Sequence, residues 1–281
     1  MTNNVADTAL SVIIPASNEA GQIGGCLAAL LASDPVPGPV EVVVVANGCR
    51  DDTAARARAL IPQAQTRGWE MQVLELTQGG KPGALNAGDE AARGAARVYL
   101  DADVTVSRAL LTQLAVAVAR PGAVFASGML RITGRGVVAR AYARTWAQVP
   151  FMSRGVPGCG IFAISPAGRA RWGAFPSIIS DDTFARLHFA PSERLAVPAT
   201  YDWPVAEGFA ALIRVRRRQD RGVAEIRQRF PALTAQEDTP TLGAGGMARL
   251  AARDLAGFAV YAGVALAVRM GRGDQGWSRG R

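Results

Sequence analysis

The stretch LSVIIPASNEAGQIGGCLAALLAS, residues 10–33, opens with a mostly apolar run and continues after a polar loop into an alanine- and leucine-rich segment. The run LSVIIP predicts a buried strand, and AGQIGGCLAALLAS predicts a helix despite its glycines. The same order recurs in VEVVVVANG followed by RDDTAARARAL, and in WEMQVLEL followed by PGALNAGDEAARGA, before a fourth strand, ARVYL. Strands that alternate with helices and read as continuous apolar runs predict an α/β fold, with a mostly parallel central sheet flanked by helices.

Polar residues follow each of these predicted strands. They occupy positions 15–19, 47–52, 79–83 and 101–103. Because ligands of parallel sheets bind at the carboxyl ends of the strands, the four stretches predict one shared site.

Composition sets broad limits on function. The 281 residues are 49% hydrophobic and carry 31 Lys+Arg against 23 Asp+Glu, a net charge of +8. A basic chain favours an anionic partner, such as a phosphorylated substrate, an acidic membrane surface or nucleic acid, although solvated surface arginines explain the charge equally well. Cys26, Cys49 and Cys159 form neither a disulfide framework nor a zinc pattern, which favours a reducing compartment.

The second half of the chain is less regular. From about Arg131 the alternation weakens, and RGVPGCGIFAIS, FPSIISDDTFARLHF and RVRRRQDRG predict loops and short elements added to the sheet. The arginines are not interleaved with aromatic residues and no nucleic-acid module is apparent, so nucleic acid is not an expected partner.

The two ends of the chain bear on targeting and on membrane contact. MTNNVADTALSVIIP has no basic region before its apolar run, so no signal peptide is predicted. The apolar segment from Leu255 to Val268 is shorter than the roughly 20 residues that a bilayer span needs. It predicts a packed terminal helix, with a membrane-surface helix as the alternative, because it is flanked by Arg249, Arg253, Arg269 and Arg272. The tail from Gly271 is predicted to fray.

Two aspartates end the fourth predicted strand, in RVYLDADVT. Residues i and i+2 of an extended segment point the same way, so Asp101 and Asp103 are expected to present both carboxylates to one point. Two hard oxygen ligands suit Mg²⁺ or Mn²⁺ held jointly with a diphosphate. A pair of turn or capping aspartates is the alternative, and the position opposite three other polar strand ends favours the metal.

The order and spacing of SVIIPASNEAGQIGGCLAAL, VVVVANGCRDDT, GGKPGALNAG and VYLDADV resemble the inverting family 2 glycosyltransferases of the GT-A fold, over roughly residues 10–222. The resemblance implies a catalytic domain at 1–230, with a nucleotide-binding half at about 10–105 and an acceptor-side half at 106–230. Residues 231–281 are expected to form a C-terminal helical extension.

The resemblance also implies nucleotide-binding residues. Pro15, Ala16 and Glu19 match the loop that meets base and ribose, and Lys81 matches a lysine that reaches toward the nucleotide. Asn47 stands where the family usually has an aspartate. An asparagine amide both donates and accepts hydrogen bonds, so a uridine preference is not implied.

The catalytic groups follow from the same resemblance. Asp101 and Asp103 match the metal-binding D-x-D, and Asp101 is also placed on the nucleotide side. An inverting transfer needs a general base near the acceptor hydroxyl. Asp182 aligns with the family's base, ahead of Asp181, and an N-cap pair on a helix beginning at Thr183 is the structural alternative.

On the acceptor side, Gly158 and Gly160 match a glycine segment that precedes the base, with ordinary turn glycines as the alternative. Arg218 matches the arginine of Gln-x-x-Arg-Trp and could bind diphosphate, with a solvated basic helix as the alternative, but Val215 and Gln219 replace the glutamine and tryptophan. The full motif is typical of processive polysaccharide synthases. Its absence favours transfer of a single sugar.

Four other conspicuous residues are interpreted as structural. His188, the one histidine, is expected to be packed or at the surface rather than a metal ligand. Trp146, Trp172 and Trp203 are expected in the core rather than at a sugar site.

The sequence therefore predicts a metal-dependent inverting glycosyltransferase acting on a nucleotide-sugar donor and a hydroxyl acceptor, which is a saccharide, lipid-linked or a small molecule. A sugar-phosphate nucleotidyltransferase and a non-catalytic nucleotide-sugar binding protein are the alternatives. PASNEAGQ lacks the basic glycine-rich loop of the former. A cytoplasmic location is expected, with peripheral contact to the inner face of the membrane as its variant.

Overall fold

The computed structural model describes residues 9–270. The predictions for the first eight residues and for the tail from Gly271, including Arg272, lie outside the described residues. Within the described part, eight strands form one sheet. The strands are β1 (Leu10–Ala16), β2 (Val40–Asn47), β3 (Glu70–Leu76), β4 (Ala96–Leu100), β5 (Thr105–Val106), β6 (Phe125–Thr133), β7 (Ile161–Ile164) and β8 (Arg194–Pro204).

The first four strands form the predicted parallel unit. They lie in the order β3-β2-β1-β4, and β1 pairs in parallel with both β2 and β4. Every residue of β1 and β2 is buried, as expected for strands covered on both faces. The predicted α/β fold and parallel sheet are confirmed here.

The rest of the sheet is mixed. Strand β7 runs antiparallel to β4 on one side and to β6 on the other, β8 pairs in parallel with β6, and β5 pairs antiparallel with β8. The register of β6 and β8 shifts between Ser127 and Met129. A Cβ on Gly128, at this irregularity, would lie 2.7 Å from the carbonyl of Ala199, which is why a glycine occupies the position.

Helices cover both faces of the sheet and extend beyond it. They are α1 (Ile23–Leu31), α2 (Thr53–Arg58), α3 (Ile61–Thr66), α4 (Lys81–Ala91), α5 (Leu110–Val118), α6 (Val137–Trp146), α7 (Pro150–Ser153), α8 (Pro166–Arg169), α9 (Asp181–Arg186), α10 (Phe209–Arg229), α11 (Ala244–Arg253) and α12 (Leu255–Met270).

The core consists of three apolar clusters. Alternate residues of β1 enter different clusters: Val12 and Ile14 pack on one face of the sheet, and Ile13 packs on the other. The third cluster lies among α6, α10 and α12, includes Tyr142 and Val264, and packs against Ile132 of β6 and Trp203 of β8.

The interpretation of RVRRRQDRG as a short element is wrong, because it lies inside the 21-residue helix α10. Arginine is a good helix former, so a basic run continues a helix readily. Leu212 and Ile226 of α10 are buried, and a Cβ on Gly222 would lie 2.1 Å from the Ser180 hydroxyl. The helix thus packs directly against the segment that precedes Asp181.

The apolar C-terminal segment is a packed helix, α12, as predicted. A Cβ on Gly257 would lie 2.8 Å from the Ala141 carbonyl, and the Tyr261 ring lies 5.6 Å from that of Tyr142 in α6. Of the helices in residues 9–270, none combines the length and apolar character that crossing a bilayer requires. The domain boundary at residue 230 stays a prediction.

Candidate functional site

Hydrogen bonds join the loop after β1 to the loop after β2. Asn18 has a left-handed backbone with a φ of 56°, and its Oδ1 accepts a hydrogen bond from the Arg50 N–H at 2.9 Å. The Glu19 N–H donates to the Thr53 hydroxyl at 2.8 Å. These bonds hold the loop after β1 against the loop after β2, and Asn18 supplies one that the sequence interpretation missed.

Asn47, at the end of β2, is 2% exposed and already hydrogen-bonded. Its amide nitrogen donates to the carbonyls of Ala16 and Val45 at 3.0 and 3.3 Å, and its Oδ1 accepts from the Gly80 N–H at 3.0 Å. The residue therefore ties the end of β1 to the start of α4. Contact between Asn47 and a base or ribose stays a prediction.

The start of α4 is fixed by close backbone packing. Gly48 has a φ of 57°, and a Cβ there would lie 2.8 Å from the Gly79 backbone, so only glycine allows the approach. Lys81 is the first residue of α4. Asn47 and Gly48 thus determine where the lysine side chain begins.

The extended geometry expected for Asp101 and Asp103 is wrong. Strand β4 ends at Leu100, and the Val104 N–H donates to the Asp101 carbonyl at 3.1 Å, which closes a turn over these residues. The carboxylates nevertheless share one neighbourhood. Burial first, and then the charges of Asp103, Asp101 and Glu19, raise the pKa of the Cys26 thiol.

Lys81 joins the two halves of the chain. Its ammonium lies 2.7 Å from Asp101 Oδ1 and 3.1 Å from Asp181 Oδ2. Burial alone would lower the pKa of Lys81, but Asp101, Asp181 and Asp182 more than offset it, so the pKa is raised and the ammonium is charged. The Lys81 ammonium thus lies between Asp101 of the first half and Asp181 of the second.

Asp181 and Asp182 begin α9, so the helix predicted to start at Thr183 starts two residues earlier. Asp181 is 3% exposed, and its Oδ2 accepts no well-directed hydrogen bond. Burial raises the pKa of Asp181 to about 6, with Lys81 opposing and the charges of Asp182 and Asp101 adding to the rise. Asp182 is more open, and its Oδ1 accepts the Thr183 N–H at 2.7 Å.

The segment from Gly158 to Gly160 packs against these acids. Both glycines have left-handed backbones, with φ of 70° and 79°, and a Cβ on Gly160 would lie 2.9 Å from the Trp203 ring. The Gly160 carbonyl accepts the Asp101 N–H at 2.8 Å. These glycines are therefore required by backbone geometry, whatever they do for a ligand.

One small cavity, of about 10 Å³, gathers residues from both halves. It is lined by Pro15, Lys81, Asp101, Gly158, Gly160, Asp181 and Asp182, together with Leu85, Tyr99, Leu100 and Phe162. A wider cavity lies at the amino ends of β2 and β3, but its charges, Glu41, Glu70 and Arg93, pair with one another. The cavity at the carboxyl ends is therefore the candidate site.

The remaining predicted residues do not line that cavity. Ala16 is buried in β1, Glu19 lies in the loop beyond it, and Asp103 lies in the turn after β4. Arg218 lies in α10, four residues before Gly222, so it shares the helix face that meets Ser180.

Two side-chain contacts position α9 and its aspartates, and no sequence motif indicates either contact. The Cys159 thiol hydrogen-bonds the Asp182 side chain, and burial followed by the Asp182 charge raises the pKa of this thiol. Arg186, one turn after Asp182, is 1% exposed and bonds both carboxylate oxygens of Glu237 at 2.8 and 3.2 Å. Both partners are too distant in sequence to be paired by spacing.

The residues interpreted as structural are packed. His188 lies against the rings of Trp172 and Phe184, and its Nδ1 is 2.8 Å from the Phe184 carbonyl. The rings of Trp146 and Trp203 lie 5.4 Å apart, next to Gly160.

The sequence profile of the family described as "Glycosyl transferase family 2" matches residues 11–167, more than half of the chain. The chain belongs to glycosyl transferase family 2. The match covers Lys81, Asp101, Asp103 and the glycine segment, whereas Asp181 lies beyond it. Family membership thus confirms the resemblance read from the motifs.

Among curated relatives, the chain is 39% identical over 95 residues to "Glycosyltransferase AglE" of Haloferax volcanii. The match spans 34% of this chain and 30% of that relative, so it covers less than a third of the relative's length.

Solved structures share the fold. The mannosyltransferase PcManGT from Pyrobaculum calidifontis, in complex with GDP-Man and Mn²⁺, is 21% identical with a TM-score of 0.56, over 95% of this chain and 76% of that one. Glucosyl-3-phosphoglycerate synthase from Mycobacterium tuberculosis, in complex with Mn²⁺, UDP and glucosyl-3-phosphoglycerate, is 19% identical with a TM-score of 0.51, over 83% and 82%. The chain has the GT-A fold of these glycosyltransferases.

Proposed function

We propose that this member of family 2 transfers a single sugar from a nucleotide-sugar donor to a hydroxyl acceptor, with inversion and with a divalent metal. The observation that carries the proposal is the cavity in which Lys81 of the nucleotide half meets Asp181 of the acceptor half. A site that joins the two substrates needs groups from both halves at one point.

The donor is assigned to the loops at the ends of the first four strands. Pro15, Ala16 and Glu19 are proposed to meet base and ribose, with Asn47 fixing the loop from beneath. The raised pKa of Lys81 keeps its ammonium charged beside the diphosphate position. Arg218 is proposed to add a second positive charge from α10.

The residues of the turn after β4 fit a divalent metal. Asp101 and Asp103 offer the hard carboxylate oxygens that Mg²⁺ and Mn²⁺ prefer, and they lie two residues apart in one turn, against which the Cys26 thiol packs at 3.6 Å from the Asp101 carbonyl. Within residues 9–270, no three His, Cys, Asp or Glu side chains make a metal site by themselves. This agrees with a metal that takes its other ligands from water and diphosphate. When bound, the metal supplies counter-charge for the departing nucleoside diphosphate.

Asp182 is proposed as the general base. It lines the cavity, it is more open than Asp181, and the Cys159 thiol and the Thr183 N–H hold its carboxylate. Asp182 takes the proton from the acceptor hydroxyl as the hydroxyl oxygen attacks the anomeric carbon opposite the diphosphate, which inverts that carbon. Asp181 is proposed to hold Lys81 in place.

The acceptor is proposed to approach along Gly158 and Gly160, whose positive φ angles bring backbone rather than side chains to the cavity. Its class stays open among saccharides, lipid-linked sugars and small molecules. The named neighbours act on or bind GDP-Man and UDP, so both nucleotides belong in a donor screen. A cytoplasmic location stays a prediction.

Metal-dependent donor binding tests the proposal. Wild-type protein and Asp103→Asn would be screened against a panel of sugar nucleotides by thermal unfolding, with Mn²⁺ and with EDTA. We expect at least one donor to stabilise the wild type only with Mn²⁺, and Asp103→Asn to lose that stabilisation. Equal stabilisation of both proteins in EDTA would contradict the metal role, and a nucleotide triphosphate that outcompetes every sugar nucleotide would favour a nucleotidyltransferase.

A further inference from the structure

The outward face of α12 is apolar although it faces solvent. Leu255, Ala259, Leu266 and Met270 are exposed and Ala262 is half-buried, at spacings that place all five on one side of the helix. We name these five residues the outer stripe. The opposite side of α12, with Gly257 and Val264, is buried against α6 and α10.

Among the described residues, the exposed large apolar side chains concentrate in α6, α10 and α12, which we name the docking layer. Seven large ones are exposed among the described residues, and five of them lie in α6, α10 and α12. Leu255 and Met270 are 74% and 70% exposed. The Phe209 ring, at the start of α10, lies 3.4 Å from where a Cβ on Gly263 would be, so it extends the outer stripe sideways. A solvated helix normally carries polar residues on such a face.

The net positive charge of the chain is also located here. Residues 137–146, 209–229 and 244–270 contain twelve arginines and three acidic residues, a net charge of +9 against +8 for the whole chain. Arg253 and Arg269 are exposed at the two ends of the outer stripe, and Arg140, Arg214 and Arg249 are exposed nearby. An apolar face bordered by cations fits a surface that is apolar inside and anionic outside.

We propose that the outer stripe of α12 lies on an anionic lipid bilayer, with the stripe in the acyl boundary and the surrounding arginines among the headgroups. The helix is not a span, since its 16 residues are fewer than the roughly 20 that a bilayer requires. It lies in the plane of the interface, where binding strength comes from apolar area and attraction to anionic headgroups together.

The docking layer is joined to the candidate site by packed rings. Trp203, against Gly160, contacts Trp146 at 5.4 Å, and Trp146 contacts Tyr142 at 5.3 Å. Tyr142 contacts Tyr261 of α12 at 5.6 Å. The acceptor side of the cavity and the docking layer are therefore connected through a continuous series of packed rings.

Vesicle sedimentation tests the docking. The full chain would be mixed with vesicles of equal parts phosphatidylcholine and phosphatidylglycerol, and with vesicles of phosphatidylcholine alone. We expect the wild type to sediment with the anionic vesicles and to dissociate as salt is raised, because screening shortens the range of the attraction. Leu266→Glu removes apolar area and adds a repelled charge, so it should lower partitioning by about tenfold or more. Val116→Glu, at an exposed apolar residue of α5, is the matched control and should bind as the wild type does.

A charge variant gives a second, independent readout. Arg249→Gln together with Arg253→Gln should weaken binding to anionic vesicles by about fivefold per arginine, while the thermal unfolding temperature stays unchanged because both side chains are exposed. Wild-type binding to neither kind of vesicle, or equal binding of Leu266→Glu, would overturn the proposal. A wild-type dimer that Leu266→Glu converts to a monomer would instead assign the outer stripe to a second copy of this chain. None of these readouts depends on sugar transfer, so the docking and the proposed function fail separately.

Discussion

The two halves of the chain position their site residues in different ways. In the proposed nucleotide half, Lys81 begins α4 after β3 and Asp101 follows β4, and the parallel ladder of β3, β2, β1 and β4 aligns these strand ends. In the proposed acceptor half, Asp181 and Asp182 begin the short helix α9, whose position depends on side-chain contacts. Cys159 holds Asp182, and Glu237 holds Arg186 one turn later.

This difference shows why one half is readable from sequence and the other is not. In a parallel sheet, the carboxyl ends of all strands lie at the same edge. A residue that follows an apolar run can therefore be placed at that edge from the sequence alone. A side-chain contact such as Arg186 with Glu237 joins residues 51 positions apart with no repeating pattern. Lys81 belongs to both systems, because it forms ion pairs with Asp101 of one half and Asp181 of the other.

The largest effect is expected at the acceptor half's proposed base. Asp182→Asn keeps the shape of the side chain but cannot take a proton, so transfer should fall by about 10²–10⁴. Donor binding should stay near wild type, because the donor is assigned to the other half. Initial rates and donor titrations separate the two. Undiminished turnover would move the base elsewhere, and a parallel loss of donor binding would erase the proposed division between the halves.

The next effect is expected at the residue that joins the halves. Lys81→Met leaves the buried Asp181 without its cation and should lower the free energy of unfolding by about 3 kcal/mol, the low end for a broken buried pair, because Lys81 is partly exposed. Asp181 has a pKa already raised to about 6, which will rise further. The native state favours its protonated form, so the loss should be largest above neutral pH and shrink as pH falls.

Urea unfolding of Lys81→Met at several pH values measures this. Arg58→Met is the matched control, since Arg58 and Glu75 form an exposed pair. The control should change stability by less than about 1 kcal/mol at every pH. A Lys81→Met loss that grows toward acid pH would contradict the assigned ion pair.

A smaller effect is expected from removing the side-chain ion pair that positions α9, compared with removing an exposed ion pair in the other half. Glu237→Ala takes the bidentate partner from the buried Arg186, which keeps Asp238 and Thr239, so we expect a loss of about 1–2 kcal/mol in the free energy of unfolding. Glu75→Ala removes an exposed pair from the nucleotide half and should cost about 0–1 kcal/mol. Chemical unfolding of both variants compares them directly. Equal losses would mean that the Arg186 contact is no more than a surface pair.

The smallest effect concerns His188 in the acceptor half. Burial lowers its pKa below the ordinary value, although the Phe184 carbonyl opposes the change. The unfolded chain therefore takes up a proton more readily than the folded one, and this contribution to stability is present above the ordinary pKa of about 6.5 and is lost as pH falls. His188→Gln should flatten the change of melting temperature between neutral and mildly acid pH, and an unchanged slope would contradict the packed neutral ring.

The sequence predicted the nucleotide half well, because Val and Ile runs in β1 and β2 leave few other structures open. It failed where a local conformation overrides a pattern. Asp101 and Asp103 were expected on an extended segment, but the Val104 N–H closes a turn there.

Other sequence predictions failed or stayed open because the residue types suit two structural roles equally well. Asn47 is as suited to a ligand as to a backbone carbonyl, and the structure commits its amide to Ala16 and Gly80. The arginines of RVRRRQDRG suit a loop or a helix, and only the burial of Leu212 and Ile226 in α10 decides for the helix.

The most direct test is the release of nucleoside diphosphate and free or transferred sugar from a panel of sugar nucleotides, followed with Mn²⁺ and after its removal by EDTA. We expect wild-type protein to turn over at least one donor with Mn²⁺ and to stop in EDTA. A donor that binds and stabilises the protein, yet stays intact with Mn²⁺ and every class of hydroxyl acceptor, would contradict glycosyl transfer and leave a binding protein.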